Sequence, residues 1–247
     1  DIFLEKFIRN SRHIEIQVFG YGEKSAVHFY ERDCSIQRRF QKIIEESPAP
    51  KVEQSIIKKM AEMSVNFASD QKYEGAGTIE FIYDIDQKKF YFLEMNTRIQ
   101  VEHPVTEEIT GVDLVELQIK YALNLDSTSI LQSDISKNGN SLECRLYAED
   151  PKKNFLPSPG KVTKLRFPEV SEDIRLDIGV DEGDEISFYY DPMIAKIISK
   201  GENRSEVIKK MKNFLEKMEI EGIKTNKSFL IEVLKNKSFE EAKFNTK

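Results

Sequence analysis

Two short segments, "GAGTIEFIY" at 75–83 and "KKFYFLEMN" at 88–96, are separated only by the turn-like "DIDQ". Their Ile, Phe and Tyr content and polar boundary read as two strands joined in a hairpin. In the symmetric register centred on Gln87, Glu80 falls opposite Glu94. Like charges directly opposite one another destabilise a strand pair, so something must neutralise them. A divalent cation would, because hard cations such as Mg2+ take oxygens from one or two carboxylates together with substrate phosphates. A different register, or Lys88, Lys89 or Arg98 folding back as counter-ion, would also relieve the repulsion.

The second strand runs on into "FLEMNTRIQVEHPV" at 92–105. If the chain stays extended, Glu94, Asn96, Arg98, Gln100 and Glu102 share one face. An alternating strand can show such a row to solvent. The bulky "KFYFLEM" instead fits a strand covered on both faces, and a buried row of charge must be paired or bound, since unpaired buried charge costs several kcal/mol. The row is expected to form the floor of a site. With the basic "QRRFQK" at 37–42, it points to an anionic, phosphorylated ligand bridged by metal.

At 247 residues the chain has material for one large domain or two of ordinary size. An apolar content of 39%, with 16 Phe and 9 Tyr, supports a folded core. The net charge of −6 speaks against a sequence-independent nucleic-acid binder, which carries a strongly basic face. Cys34 and Cys144 are too few and too distant for a disulfide framework or a CxxC metal site. They suit a reducing compartment, expected to be the cytoplasm, or the mitochondrial matrix or plastid in a eukaryote. No stretch approaches the roughly 18 consecutive apolar residues of a membrane span, and no signal-peptide pattern opens the chain. The start "DIFLEKFI" lacks Met and reads as a strand, so the chain is expected to be part of a longer or processed polypeptide.

"HIEIQVF" at 13–19 and "SAVHFYER" at 25–32 read as a hairpin or meander, and residues 34–50 as a structured loop. Over 51–68, Val52, Ile56, Met60, Met63 and Phe67 recur at helical spacing. A second helix opens at the N-cap Asp113 with Glu116 at N3, its stripe being Leu114, Leu117, Tyr121 and Leu125. Residues 126–140 are the best linker, dividing the chain into domains 1–137 and 138–247. Beyond it come strands at "SLECRLYAE", "KVTKLRF", "IRLDIGV" and "MIAKIISK", then helices near 204–219 and 226–236.

The stretch "EMNTRIQVEHPVTEEITGVDL" resembles the biotin carboxylase family of ATP-grasp enzymes. So do "EKFIRNSRHIEIQV", "ERDCSIQRRFQK", "EESPAP", "GAGTIEF", "ECRLYAEDP", "FLPSPGKV", "YYDPMIAKII" and "EGIKTN", in the family's order, so the resemblance covers essentially the whole chain. It implies an α+β fold: the C-terminal lobe of an ATP-grasp domain, an antiparallel sheet with helices, followed by a biotin carboxylase C-terminal domain. The implied activity is ATP- and bicarbonate-dependent carboxylation of biotin through carboxyphosphate.

By that resemblance Glu80 and Glu94, with Asn96, hold two Mg2+ or Mn2+ ions against the phosphates. Arg98, Gln100 and the Val101 N–H seat bicarbonate, Glu102 is the general base, and Arg145 stabilises the biotin enolate. Lys42 supports the phosphate or carboxyphosphate. His13 and Gln37 contact the nucleotide near its ribose, Glu5 and the backbone near Ile8 bind adenine at the hinge, and Ile82 is its apolar neighbour. Taken alone, a strand histidine is more often a packing residue, and that reading is kept for His28 and His103.

No "AMKM"-like motif occurs, so biotin is expected on a separate carrier protein or domain, with a carboxyltransferase component beyond it. The acceptor would be acetyl-CoA, as in fatty acid synthesis, another acyl-CoA, or pyruvate. The resemblance also implies a homodimer through residues after about 140, with neither nucleic acid nor membrane as partner. Three departures stand out. Phe40 replaces the family's usual His, the turn between Glu80 and Glu94 is about two residues longer than is common, and nothing resembles the family's N-terminal domain with its ATP lysines and Gly-rich loop. The chain by itself is therefore expected to be inactive. Another ATP-grasp ligase, of the carbamoyl phosphate synthetase type, and a non-catalytic module are the alternatives.

Overall fold

The computed structural model describes residues 2, 4, 6–23, 25–125 and 129–246. The chain divides into two compact units, one of residues 1–42, 47–137 and 244–247, the other of residues 43–46 and 138–243.

In the first unit the strands are β1 (Ser11–Tyr21), β2 (Ala26–Arg38), the start of β3 (Gln41–Ser47), β4 (Glu74–Asp84) and β5 (Lys89–Asn96). Its antiparallel sheet runs β2-β1-β4-β5. Strand alternation gives β1 two unlike faces. Ile14, Ile16 and Val18 pack with Ile79, Phe81 and Tyr83 of β4 against Ile56, Ile57, Met60 and Ala61 of helix α1 (Gln54–Asp70). On the other face, Phe19 and Tyr21 meet Leu114 and Leu117 of helix α3 (Leu114–Ala122). Before Phe19 along β1 the same face carries His13, Glu15 and Gln17. Helix α2 (His103–Thr110) follows the stretch 97–102 and ends at Gly111, whose φ of 70° is the left-handed conformation that suits glycine.

The two helices expected from spacing form, and Asp113 caps α3 by accepting from the Glu116 N–H. Leu125 lies beyond the end of α3 and is 46% exposed, so the core stripe stops at Tyr121. Two expectations are overturned. Residues 34–50 are not a loop: β2 continues to Arg38, and β3 starts after a two-residue turn. The strand "KFYFLEM" is not covered on both faces either, because β5 is an edge strand with Phe92 at 53% and Leu93 at 45% exposure.

The second unit holds β6 (Asn140–Tyr147), the short β7 (Glu149–Asp150), β8 (Leu156–Pro157), β9 (Gly160–Lys161) and β10 (Lys164–Arg166), then β11 (Ile174–Ile178), β12 (Glu185–Ile186), β13 (Met193–Gly201) and β14 (Glu219–Glu221). Its main sheet runs β11-β13-β6-β3. Helices α4 (Arg204–Lys217), α5 (Lys227–Lys235) and α6 (Lys237–Glu240) complete it. α4 buries Val207, Ile208, Met211, Phe214 and Leu215, packing against β13, β6 and α5. Part of the 126–140 linker, residues 126–128, lies outside the described residues. Among the described residues no helix is long and apolar enough to cross a membrane. Cys34 and Cys144 are both buried thiols in no disulfide.

Candidate active site

Strand register builds the site. Arg32 on β2 stands opposite Glu15 on β1, Glu15 opposite Glu80 on β4, and Glu80 opposite Glu94 on β5. One charged row thus crosses four strands. The like-charged pair Glu80 and Glu94 occurs in the register expected from Gln87. On the turn side the pairing is offset, Phe81 facing Phe92, and a bulge at Leu93 brings the two glutamates opposite each other.

Lys42, near the start of β3, lies at the centre of these carboxylates. Its Nζ is 2.6 Å from Glu15 Oε2, 2.9 Å from Glu80 Oε1 and 2.6 Å from Glu102 Oε1. His13 Nε2 lies 2.7 Å from Glu80 Oε2, and Gln100 Nε2 donates to Glu80 Oε1 at 2.7 Å. Burial pushes the Glu15 carboxyl up, but Lys42 and Arg32 outweigh it and hold the group at about 2. For Glu80 burial again acts upward, and the His13 contact with Lys42 brings it to about 2. Burial opposes the Lys42 charge, yet Glu15 first and then Glu102 and Glu80 among its neighbours hold the ammonium well above its ordinary range. Glu15 and Glu80 are therefore ionised around one fixed cation.

Residues 94–102 do not stay extended. β5 ends at Asn96, and the chain turns through 97–102 into α2. The polar row divides accordingly. Gln100 and Glu102 are buried, Glu94 and Arg98 exposed, and Asn96 and Val101 half-buried. Asn96 Nδ2 donates to Glu80 Oε1 at 3.0 Å and to Glu94 Oε1 at 3.2 Å, joining the two carboxylates, while its Oδ1 accepts from Arg98 Nη2 at 3.3 Å. Glu80 and Glu94 offer hard carboxylate oxygens on adjacent strands, a donor set that fits Mg2+. A second grouping brings one ligand atom each from His13, Glu15 and Glu80 within 4.8 Å of one another.

Toward the expected nucleotide region, Gln37 Nε2 lies 3.0 Å from His13 Nδ1 and donates to the Cys34 carbonyl at 2.8 Å. Ile82, half-buried, stands opposite His13 in the strand pairing, and Ile8 is half-buried ahead of β1. Glu5 lies outside the described residues. Phe40 is 96% exposed in the turn between β2 and β3. His28 accepts from the Tyr30 N–H at Nδ1, and His103 Nδ1 lies 3.0 Å from Glu107 within α2.

Two site residues escaped sequence reasoning. Glu15 and Arg32 each sit in an alternating strand where a charged side chain reads as solvent-facing, yet both are fully buried. The available signal was the "HIEIQ" alternation, which puts His13, Glu15 and Gln17 on one face, together with the Arg32 opposite it.

In the second unit, Arg145 of β6 is buried with its Nε 2.7 Å from Glu45 Oε1. Asn226 donates to the Arg145 carbonyl at 3.0 Å and accepts from the Tyr147 N–H at 2.9 Å, fixing the strand on either side. Burial raises the Tyr147 phenol despite the neighbouring Arg145.

Residues 1–129 match the family model described as the carbamoyl-phosphate synthase L chain, ATP binding domain, and residues 143–247 match the biotin carboxylase C-terminal domain. Biotin carboxylase 1 of Bacillus subtilis is 46% identical over 246 residues, covering 100% of this chain and 54% of that protein. The mitochondrial methylcrotonoyl-CoA carboxylase subunit alpha of Arabidopsis thaliana is 46% identical over 238 residues, 96% of this chain and 32% of that one. The biotin carboxylase domain of thermophilic 2-oxoglutarate carboxylase, solved with bicarbonate, superposes with a TM-score of 0.93 at 44% identity, covering 98% of this chain and 54% of that chain. This chain thus spans about half the length of the first of these relatives and about a third of the second. With both family models matched in order along one polypeptide, the chain belongs to the biotin carboxylase family of ATP-grasp proteins.

Proposed function

We propose that this chain supplies the bicarbonate-activating part of a biotin carboxylase, which uses ATP to carboxylate biotin carried on a partner protein or domain. The observation that supports it best is the placement of Lys42 between Glu15, Glu80 and Glu102, with Gln100 tied to Glu80. The reaction needs a base for bicarbonate, a cation for the transferring phosphoryl group and carboxylates for a metal within one small volume.

In this reading Arg98, Gln100 and the Val101 N–H seat bicarbonate. Glu102 accepts its proton, and the freed oxygen attacks the γ-phosphorus of ATP as the bond to ADP breaks. Lys42 stabilises the charge on the transferred group. Carboxyphosphate then breaks into CO2 and phosphate, the released phosphate takes the ureido N–H proton of biotin, and the resulting nitrogen nucleophile attacks CO2, with Arg145 assigned to the enolate charge. Glu80 and Glu94 would hold Mg2+ or Mn2+, with Asn96 joining as an oxygen ligand once its amide is turned over. When bound, such ions neutralise phosphate charge. His13, Gln37, Ile82, Ile8 and Glu5 are assigned to the nucleotide.

The carrier, a carboxyltransferase component and a second copy of the chain are the proposed partners. The final acceptor is an acyl-CoA or a keto acid, and acetyl-CoA carboxylation for fatty acid synthesis is one such assembly. The match of residues 1–129 to the carbamoyl-phosphate synthase model favours a second reading, an ATP-grasp ligase that also forms carboxyphosphate but does not use biotin. Phosphate release from ATP with Mg2+ and bicarbonate, with and without free biotin, separates them. In the native-length polypeptide carrying this sequence, biotin should stimulate turnover and Glu102→Gln should abolish that stimulation. Turnover indifferent to biotin would favour the second reading.

A further inference from the structure

Arg32 is fully buried, the largest such side chain among the described residues, and it lies in no position that touches substrate in the reading above. Its guanidinium spends every donor direction on a different neighbour. Nε donates to Glu15 Oε1 at 2.5 Å. Nη1 donates to Gln17 Oε1 at 2.6 Å and to Thr106 Oγ1 at 3.0 Å. Nη2 donates to Thr78 Oγ1 at 3.1 Å and to Gln100 Oε1 at 3.3 Å. These five partners lie on β1, on β4, in the 97–102 turn and on α2.

Three of the five lead directly to the reacting groups. Glu15, with one oxygen held by Arg32, turns the other to Lys42. Gln100 has its oxygen on Arg32, so its amide nitrogen must face Glu80, which removes the ambiguity of an unconstrained amide. Thr106 stands one helical turn after Glu102, so its anchor fixes the first turn of α2, and Glu102 at the N-cap with it. Glu102 is then held from two sides, by Lys42 at its carboxylate and by the Thr106 anchor at its backbone.

We propose that Arg32 is the positioning residue of the site, setting Glu102, Gln100 and Lys42 in place together through Thr106, Gln100 and Glu15. Arginine is required because a rigid planar fork can reach five acceptors, whereas lysine offers three donors from one point. The inference rests on the biotin carboxylase reading, in which Glu102 is the base.

Arg32→Met strips a buried carboxylate of its partner and is expected to unfold much of the unit, so Thr106→Val and Thr106→Ser carry the kinetic test. In the native-length polypeptide, Thr106→Val should lower kcat for biotin-stimulated ATP cleavage about five- to tenfold, the equivalent of one hydrogen bond, with KM for ATP unchanged. Thr106→Ser, which keeps the oxygen, should restore kcat. Equal kcat in Thr106→Val and the parent would overturn the proposal, and so would a change confined to KM for ATP. If the parent shows no biotin stimulation, the functional reading fails rather than this one. The positioning claim is then decided by NMR on the 247-residue chain. The Gln100 side-chain amide protons should be sharp and slowly exchanging in the parent and broadened in Arg32→Lys, while β1 backbone amides stay protected. Unchanged Gln100 signals in Arg32→Lys would overturn the proposal independently of any turnover.

Discussion

Lys42 shows how one residue sets the state of several others. Three carboxylates lie within 3 Å of its ammonium, and its side chain is only 13% exposed. Breaking a buried pair by removing one partner leaves uncompensated charge and costs about 3–5 kcal/mol. Lys42→Met should therefore lower unfolding free energy by about that amount in urea titration at neutral pH, and adding Glu102→Gln should recover part of it. A loss under about 1 kcal/mol would mean that Arg32 and His13 alone suffice to hold the carboxylates. The pairing of Glu80 with Glu94 was legible in the sequence because a short hairpin leaves few registers and a charge clash draws attention to itself. Lys42 and Arg32 were not legible from pattern. In "QKIIEES" and "FYERD" the charged residues stand side by side, as at Glu31-Arg32-Asp33 and Glu45-Glu46, and read as solvated, and only the elements packed over them decide that they are buried.

At the scale of elements, the turn between β2 and β3 is the least comfortable part of the first unit. Arg39 at φ 50° and Phe40 at φ 65° both occupy the left-handed region, where a side chain with a Cβ is disfavoured and the Asn-Gly pair is preferred in tight connections. Phe40 at 96% exposure gains little packing in return. Replacing Arg39-Phe40 by Asn-Gly should stabilise the chain by about 1 kcal/mol, raising the thermal midpoint by about 2–4 °C. A lowered midpoint would show that the Arg39 or Phe40 side chain contributes to the fold beyond its exposure. This turn is also why residues 34–50 read as a loop. Neither Gly nor Asn marks it, and the bulky "RRFQK" hides a two-residue reversal between two strands. The amphipathic helices were legible because their 3.6-residue stripe needs no partner to be recognised, and Asp113 and Glu116 announce the α3 N-terminus.

Over the whole molecule, the ordered series of motifs carried more than any single pattern. Periodicity placed most elements, but the site combines residues 13, 15, 32, 42, 80, 100 and 102, and no local spacing brings those together. Charge burial also shapes how the molecule answers to pH. Glu31 on β2 is fully buried beside Lys137, whose Nζ is 3.3 Å from Oε1. Burial is the largest influence and raises its carboxyl above the ordinary range, Lys137 and backbone amides offsetting only part. An acid raised in the folded state binds its proton more tightly there than in the unfolded chain. Its favourable contribution is thus present below the ordinary carboxyl range and is lost as pH rises through the raised value. Glu31→Gln keeps the shape and cannot ionise. Unfolding free energy measured in urea should then coincide for parent and Glu31→Gln near pH 4, and above it the variant should become progressively the more stable until both curves run parallel. A variant that instead loses ground as pH rises would mean that the ionised Glu31 and Lys137 pair outweighs burial, and that the carboxyl is lowered by folding rather than raised.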